Sequence, residues 1–237
     1  MTKTKRMIES HLKAVDVVAE LLDARIPMSS ANPMVEELVQ GKPRIVILNK
    51  ADLADPKATD RWISYYQKKN IPVVPMSVGN SKNKKKLLSL IRETAEPMLA
   101  KWRKRGIKSR SVRLMILGIP NVGKSTLINF LAGTAATRTA NTPGHTRGKQ
   151  WVRLSEGLDL LDTPGVLWPK FDDQVAALRL AATGAIAGDV FNADEVVPEL
   201  LASLAETAPW VLQEKYNIED VHQDPQLLLE AAGRRRG

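Results

Sequence analysis

The chain has 237 residues, 43% of them apolar and 26% charged, with a formal charge of +9, which suits one medium domain with an appendage or two small domains. It has no cysteine and only three histidines, which excludes a disulfide framework and thiolate metal centres and leaves hard, oxygen-ligated cations such as magnesium. No apolar run approaches the roughly 18 residues of a membrane helix, and the opening MTKTKRMIESH lacks a signal-peptide stretch, so a soluble cytoplasmic protein is expected.

Short runs rich in Val, Ile or Leu predict strands at Val15–Leu22, Arg44–Leu48, Pro72–Pro75, Val112–Leu117, Gln150–Leu154 and Leu158–Leu161. Amphipathic stretches between them predict helices at Pro33–Gln40, Pro56–Lys69, Ser81–Arg105 and Lys124–Leu131. Such alternation implies an α/β fold, a mostly parallel sheet with helices on both faces. After Trp168-Pro169 the texture becomes acidic and rich in Ala and Leu, with helices predicted at Asp173–Ile186, Asp194–Glu206 and Asp224–Ala232 and no strand signal. The expected division is residues 1–170 as a nucleotide-binding domain and 171–237 as a small all-helical domain.

The charge is segregated along the chain. Residues 82–113 hold twelve Lys or Arg against Glu93 and Glu96, whereas residues 172–230 hold twelve acids against Arg179 and Lys215. The basic part is suited to a polyanion, which charge alone does not identify. Lys101–Arg110 sets Trp102 among six basic residues, a pattern for phosphate contacts and a stacked base that is equally common on a solvated face.

Three motifs carry chemistry. Gly118-Ile-Pro-Asn-Val-Gly123-Lys124-Ser125 is a complete G-x4-G-K-S run between a predicted strand and a predicted helix. There, glycines let the loop wrap close to phosphate oxygens, Lys124 reaches the β and γ phosphates, and Ser125 offers its hydroxyl to Mg²⁺. Asp162-Thr163-Pro164-Gly165 ends the next strand pair, where the carboxylate can hold the magnesium and the Gly165 N–H can face the γ-phosphate. Asn49-Lys50-Ala51-Asp52 follows the strand Arg44–Leu48. A carboxylate at Asp52 can accept from N1–H and the exocyclic amine of guanine together, and adenine offers neither. The stem of Lys50 can lie over the ring, Asn49 can tie this loop to the phosphate loop, and Ser77-Val78-Gly79 is placed for a backbone N–H to meet the guanine carbonyl.

The order is unusual, because N-K-x-D precedes the phosphate loop and none follows Gly165. A sheet does not record chain order. If the original termini lay close together, joining them and opening the chain elsewhere keeps every strand contact, and Ser81–Arg110 is the natural joint.

With NKAD, SVG, GIPNVGKST, Thr-Pro-Gly-His-Thr at 142–146, DTPGVLWPKF at 162–171 and Asp-Ala-Arg-Ile-Pro-Met-Ser-Ser at 23–30, the sequence resembles the circularly permuted GTPases, and among them the branch acting in bacterial ribosome assembly. The resemblance implies a circularly permuted P-loop GTPase domain followed by a helical domain that helps bind ribosomal RNA. It also implies GTP hydrolysis coupled to late assembly of the large (50S) ribosomal subunit. Nucleotide contacts are expected from Asn49, Lys50, Ala51, Asp52, Ser77, Val78, Asn121, Val122, Gly123, Lys124, Ser125, Thr126 and Gly165. Lys124, Thr146 and Gly165 are expected at the reacting phosphate, and Ser125, Asp162 and Thr146 around Mg²⁺, with Thr142 the alternative to Thr146. Asn121 is implied as a potassium ligand. The expected partners are the large-subunit precursor and its rRNA, with no membrane, the chain being monomeric off the ribosome.

Two departures from the family bear on catalysis and extent. The family opens with Trp-Phe-Pro-Gly-His-Met, whose last residue aligns with Met1, and relatives continue beyond Gly-Arg-Arg-Arg-Gly, so a chain trimmed at both ends is expected. After Gly165 stands Val166, which cannot orient a water as glutamine does. Slow intrinsic turnover, stimulated by potassium or the ribosomal subunit, is expected. A GTP-dependent binding module with negligible hydrolysis is the alternative. His145 in the presumed switch can be nominated as a base or read as a solvated bystander.

Overall fold

Runs of β-branched and leucine residues without polar alternation can only be satisfied between two layers, and they form the centre of the sheet. The computed structural model describes residues 2–39, 41–107, 110–133, 138–139, 151–155, 157–161, 173–186 and 192–236. Among these, seven strands form one sheet: β1 (Val17–Asp23), β2 (Arg44–Asn49), β3 (Val73–Met76), β4 (Val112–Leu117), β5 (Arg138–Thr139), β6 (Trp151–Ser155) and β7 (Leu158–Leu161). Their order is β3-β2-β1-β4-β7-β6-β5, parallel from β3 to β7, with β6 and β5 antiparallel at one edge.

All seven residues of β1 are buried, so both of its faces are covered. Ile8 and Leu12 of α1 (Thr2–Leu12) and Val35 of α3 (Pro33–Leu38) pack with Val18, Met115 and Leu117. Tyr66 of α4 (Pro56–Lys68) packs with Leu22, Val46 and Leu48. The long α5 (Ser81–Lys104) buries Leu87, Ile91 and Ala95 and packs on β1, β2 and β3. Helix starts follow local chemistry: Asn32, Asp55 and Asn80 accept from backbone N–H groups of the first turns of α3, α4 and α5, and Pro33 and Pro56 open two of these helices. A short α2 (Pro27–Ser30), one 3-10 turn (Ala51–Leu53) and α6 (Lys124–Ala132) complete this part.

The predicted strands Val112–Leu117 and Leu158–Leu161 match the observed bounds. β1 begins two residues later than expected because Asp16 is used as a clasp. Its N–H donates to Arg113 O (2.7 Å), and its carboxylate accepts from the Arg113 N–H (2.8 Å) and from Arg110 (3.3 Å). This ties the joint after α5 to the start of the central strands. Arg110 also lies over the Trp102 ring at 3.9 Å, so that indole meets a neighbouring guanidinium rather than standing open as a stacking platform.

The chain divides into two compact units, Met1–Pro169 and Lys170–Gly237. In the second, the described residues form α7 (Gln174–Ala182), α8 (Ala193–Thr207), α9 (Pro209–Tyr216) and α10 (Pro225–Arg236). Leu201, Ala205, Leu212, Ile218, Val221, Leu228 and Ala232 make its core. α9 ends on Asn217 in the left-handed region (φ 56°). Neither α1 nor α9 is among the predicted helices, each having few core residues to set a period. Trp210 is 56% exposed. It lies two residues from the buried Leu212, which places it across the helix from the core. Trp62 is half-buried against Tyr65 and Tyr66, and Trp151 is half-buried with Arg113 over its ring.

The fold depends on the central strands being packed without voids. Ile47→Ala, in the fully buried part of β2, is expected to cost about 2–5 kcal/mol of unfolding free energy, read by urea denaturation, without abolishing the fold.

Candidate functional site

In a parallel sheet the loops that leave the strand C-terminal ends gather along one edge, and ligands bind there. The phosphate loop Gly118–Gly123 leaves β4 at this edge and runs into α6. Its two motif glycines are required by the protein's own packing. A Cβ at Gly118 would lie 2.8 Å from the Leu21 carbonyl oxygen. At Gly123, where φ is +101°, it would lie 2.5 Å from the Asn49 side-chain nitrogen. The sequence explains these glycines by closeness to phosphate; the structure adds close approach to β1 and to the N-K-x-D loop.

Unlike α3, α4 and α5, α6 begins with no side-chain cap, which leaves its first N–H groups for another acceptor. Lys124 Nζ donates to the loop carbonyls of Gly118 (3.0 Å) and Ile119 (2.7 Å), and no carboxylate among the described residues pairs with it. Burial pushes its amine down to about 8. A desolvated cation beside uncapped N–H groups is an anion site. Ser125 and Thr126 are exposed in the first turn of α6, as a magnesium ligand and a phosphate donor need to be.

The N-K-x-D loop lies against this cradle. Asn49 Nδ2 donates to Val122 O (2.8 Å) and Lys50 Nζ to Asn121 O (3.2 Å). The two segments are 73 residues apart at the first of these contacts. Lys50 and Asn121 both sit in the left-handed region, at φ 58° and 54°, a conformation that non-glycine residues adopt at a cost and that concentrates at functional sites. Asn49 Oδ1 is buried and has no partner among the described residues, an acceptor at the junction of the two loops. Asp52 is exposed in the 3-10 turn and Ala51 is half-buried beside it. One strand further along, β3 pairs Met76 with Asn49, so Ser77 (half-buried) and Val78 (exposed) leave the sheet next to the same loop.

Sequence spacing assigns no role to Asp23 or Arg25, yet both stand in this edge. Asp23 ends β1, buried, and accepts from Arg25 Nε (2.9 Å), Arg25 Nη2 (2.7 Å) and Lys50 Nζ (3.0 Å). Burial opposes its ionisation, but the hydrogen bonds from Arg25 and Lys50 outweigh it and hold the carboxyl below the usual range. The sequence signals are an acid closing a strand that is apolar apart from Glu20, and its place at the head of the run Asp-Ala-Arg-Ile-Pro-Met-Ser-Ser. Thr142, His145, Thr146, Asp162, Gly165, Val166, Trp168 and Pro169 lie outside the described residues.

Two outcomes follow from this geometry. Gly123→Ala is expected to weaken guanine-nucleotide binding about tenfold or more, since the added methyl displaces Asn49. Gly233→Ala, in α10 with open space around its Cβ and no left-handed backbone, leaves affinity unchanged in the same fluorescent-nucleotide titration. The second concerns Lys124. Below pH 8 the amine is already charged, whereas above it a proton must be taken up to meet phosphate. Affinity is therefore expected to fall as pH rises past 8, and calorimetry at pH 9 in buffers of different ionisation enthalpy should register uptake of about one proton.

Comparison with known proteins agrees with the site. Residues 113–221 match the family model described as a 50S ribosome-binding GTPase, a span that opens at β4 and leaves Asn49–Asp52 upstream. Ribosome biogenesis GTPase A of Priestia megaterium is 43% identical over 238 residues, covering all of this chain and 83% of that protein. The crystal structure of GNP-bound YlqF from T. maritima superposes with a TM-score of 0.65 at 25% identity, covering 99% of this chain and 95% of that one. The GDP-bound form gives the same TM-score and identity over 97% and 95%. With N-K-x-D and phosphate loop in contact but in reversed chain order, and with relatives of this identity along its whole length, the chain belongs to the ribosome biogenesis GTPase A family of circularly permuted GTPases.

Proposed function

We propose that this GTPase acts in late assembly of the large ribosomal subunit, binding its precursor and rRNA when loaded with GTP and leaving after hydrolysis. The observation that carries the nucleotide half of the reading is the direct contact of Asn49 with Val122, which lets one ligand reach both loops. Asp52 selects guanine through N1–H and the exocyclic amine, Asn49 and Lys50 fix the loop that presents it, and Ser77 and Val78 offer backbone N–H groups to the base. Val122, Gly123, Lys124 and Thr126 hold phosphate oxygens, with the Lys124 ammonium turned from the loop carbonyls to the β and γ phosphates.

Ser125, together with Asp162 and Thr146, would hold a magnesium ion, whose charge offsets that of the phosphates when bound. Potassium is assigned by resemblance to Asn121. That residue is exposed at the turn of the phosphate loop and its carbonyl already accepts from Lys50, so the ion would have to be met by its side-chain amide. With Val166 after Gly165, no glutamine orients the attacking water there. Turnover is slow until potassium or the ribosomal subunit supplies positioned charge.

The ribosomal half of the reading is supported by the relatives' names and by α5. Lys82, Lys85, Lys86, Arg92, Lys101, Arg103, Lys104 and Arg105 are all exposed on and just beyond this helix, a surface suited to RNA phosphates. Among the described residues no helix is long and apolar enough to cross a membrane, and we place the protein in the cytoplasm as a monomer when off the ribosome. The test is co-sedimentation with purified large and small ribosomal subunits at two salt concentrations. Pelleting with large subunits is expected in the presence of a non-hydrolysable GTP analogue, lost with GDP and weakened at the higher salt. Equal pelleting with both subunits, or none, would overturn the assignment.

A further inference from the structure

We propose that Asp23 is the positioning residue of the guanine loop, acting through Lys50 to hold that loop against the phosphate cradle before nucleotide arrives. The inference rests on reading Asn49–Asp52 as the base-selecting loop. β1 lies between β2 and β4. With parallel neighbours about 4.8 Å apart, the two loops leave the sheet about 10 Å from each other. What fills the gap is the end of β1, where Asp23 is in register with Asn49.

A buried carboxylate needs compensation, and Arg25 makes the larger part of it, donating from Nε and Nη2 in a fork and from its backbone N–H (3.1 Å). The second cation, Lys50, adds to that compensation and has a geometric consequence besides. Lys50 Nζ touches Asp23 Oδ2 at 3.0 Å and Asn121 O at 3.2 Å, so one ammonium spans from β1 to the phosphate loop. The backbones of Lys50 itself and of Asn121, which it meets, are both left-handed, a conformation that neither residue would favour by itself.

The carboxylate is itself fixed without help from nucleotide. The Asp23 N–H donates to Ser30 Oγ (2.9 Å), Ser30 Oγ donates to Pro27 O (3.1 Å), and the Ala24 N–H donates to Asn49 O (2.8 Å). The turn after β1 is thus a fixed post, and Lys50 is moored to it. A long side chain held in this way loses its rotamer freedom on folding rather than on ligand binding, which raises affinity for any guanine nucleotide. Nothing in the network reaches toward a γ-phosphate, so GDP and GTP gain equally.

The test is a coupling experiment on the whole chain, comparing Asp23→Asn, Lys50→Met and the double variant by dissociation rates of fluorescent GDP and a GTP analogue, with thermal unfolding alongside. Asp23→Asn is expected to speed release of both nucleotides about tenfold or more. In the Lys50→Met background the same change should alter release by less than about twofold, because the route through the lysine is already gone. An equal effect in both backgrounds, or unchanged release with a lower melting temperature, would make Asp23 a purely structural residue and overturn the proposal. Should Asp23→Asn fail to fold, Asp23→Glu carries the same cycle, keeping a charge beside Arg25 while shifting the lysine contact. Asp52→Asn serves as the separate check. A switch of preference to xanthosine diphosphate upholds the base-loop reading, and its absence overturns that reading whatever Asp23 does.

Discussion

The amide of Asn49 and the carbonyl of Val122, 2.8 Å apart, impose a constraint on everything around them. For that bond to form, β2 and β4 must flank a single strand, that strand must end level with β2, and the phosphate loop must have no side chain at position 123. Each condition is met by a different part of the sequence. β1 ends at Asp23 in register with Asn49, and Gly123 has no Cβ where one would meet the Asn49 amide at 2.5 Å. The glycine that motif logic assigns to phosphate is thus also what admits the neighbouring loop, so nucleotide affinity and the packing of two distant segments are one requirement at that position.

Permutation is compatible with this constraint because the constraint is spatial. The strand order places β4 beside β1 whichever is made first, and the joint must only be long enough to return from the β3 edge to the middle of the sheet. α5, with 24 residues, is about 36 Å long at 1.5 Å per residue, and it crosses β1, β2 and β3 on the way. Its far end is then made fast, with Arg110 stacked on Trp102 and bonded to Asp16, and Asp16 bonded to the first turn of backbone in β4. The residues that close the joint are charged and aromatic rather than apolar, so the same basic segment that faces solvent along α5 becomes structural at its end.

What was legible in the sequence was whatever depends on neighbours in the chain. The strands Val112–Leu117 and Leu158–Leu161, the α6 start at Lys124 and the α4 start at Pro56 follow from composition, spacing and capping within a few residues. The meeting of NKAD with GIPNVGKST could be inferred because both motifs are defined by the one ligand they share. Asp23 could not be read in the same way. Its partners are fixed by strand register, which has no local signature, and by the turn through Ser30, which lies in the run Asp23–Ser30 that marks the family without naming a contact. The setting of Trp102 stayed open for a related reason: an aromatic side chain declares its size but not whether a guanidinium, a core or solvent will meet it.

Lys124 makes the last link between fold and chemistry. Its ammonium is desolvated, satisfied by two carbonyls that are acceptors without net charge, and flanked by the uncapped start of α6. Two carbonyl hydrogen bonds hold the amine in place but do not neutralise it, which is why its proton is released far more readily than that of an ordinary lysine. A phosphate dianion beside this ammonium would supply the countercharge that the two carbonyls do not. That deficit is local and electrostatic, whereas the base loop is held by hydrogen bonds that exist already. On the proposed reading, affinity for guanine nucleotides thus divides between a phosphate end that is short of charge and a base end that is organised in advance.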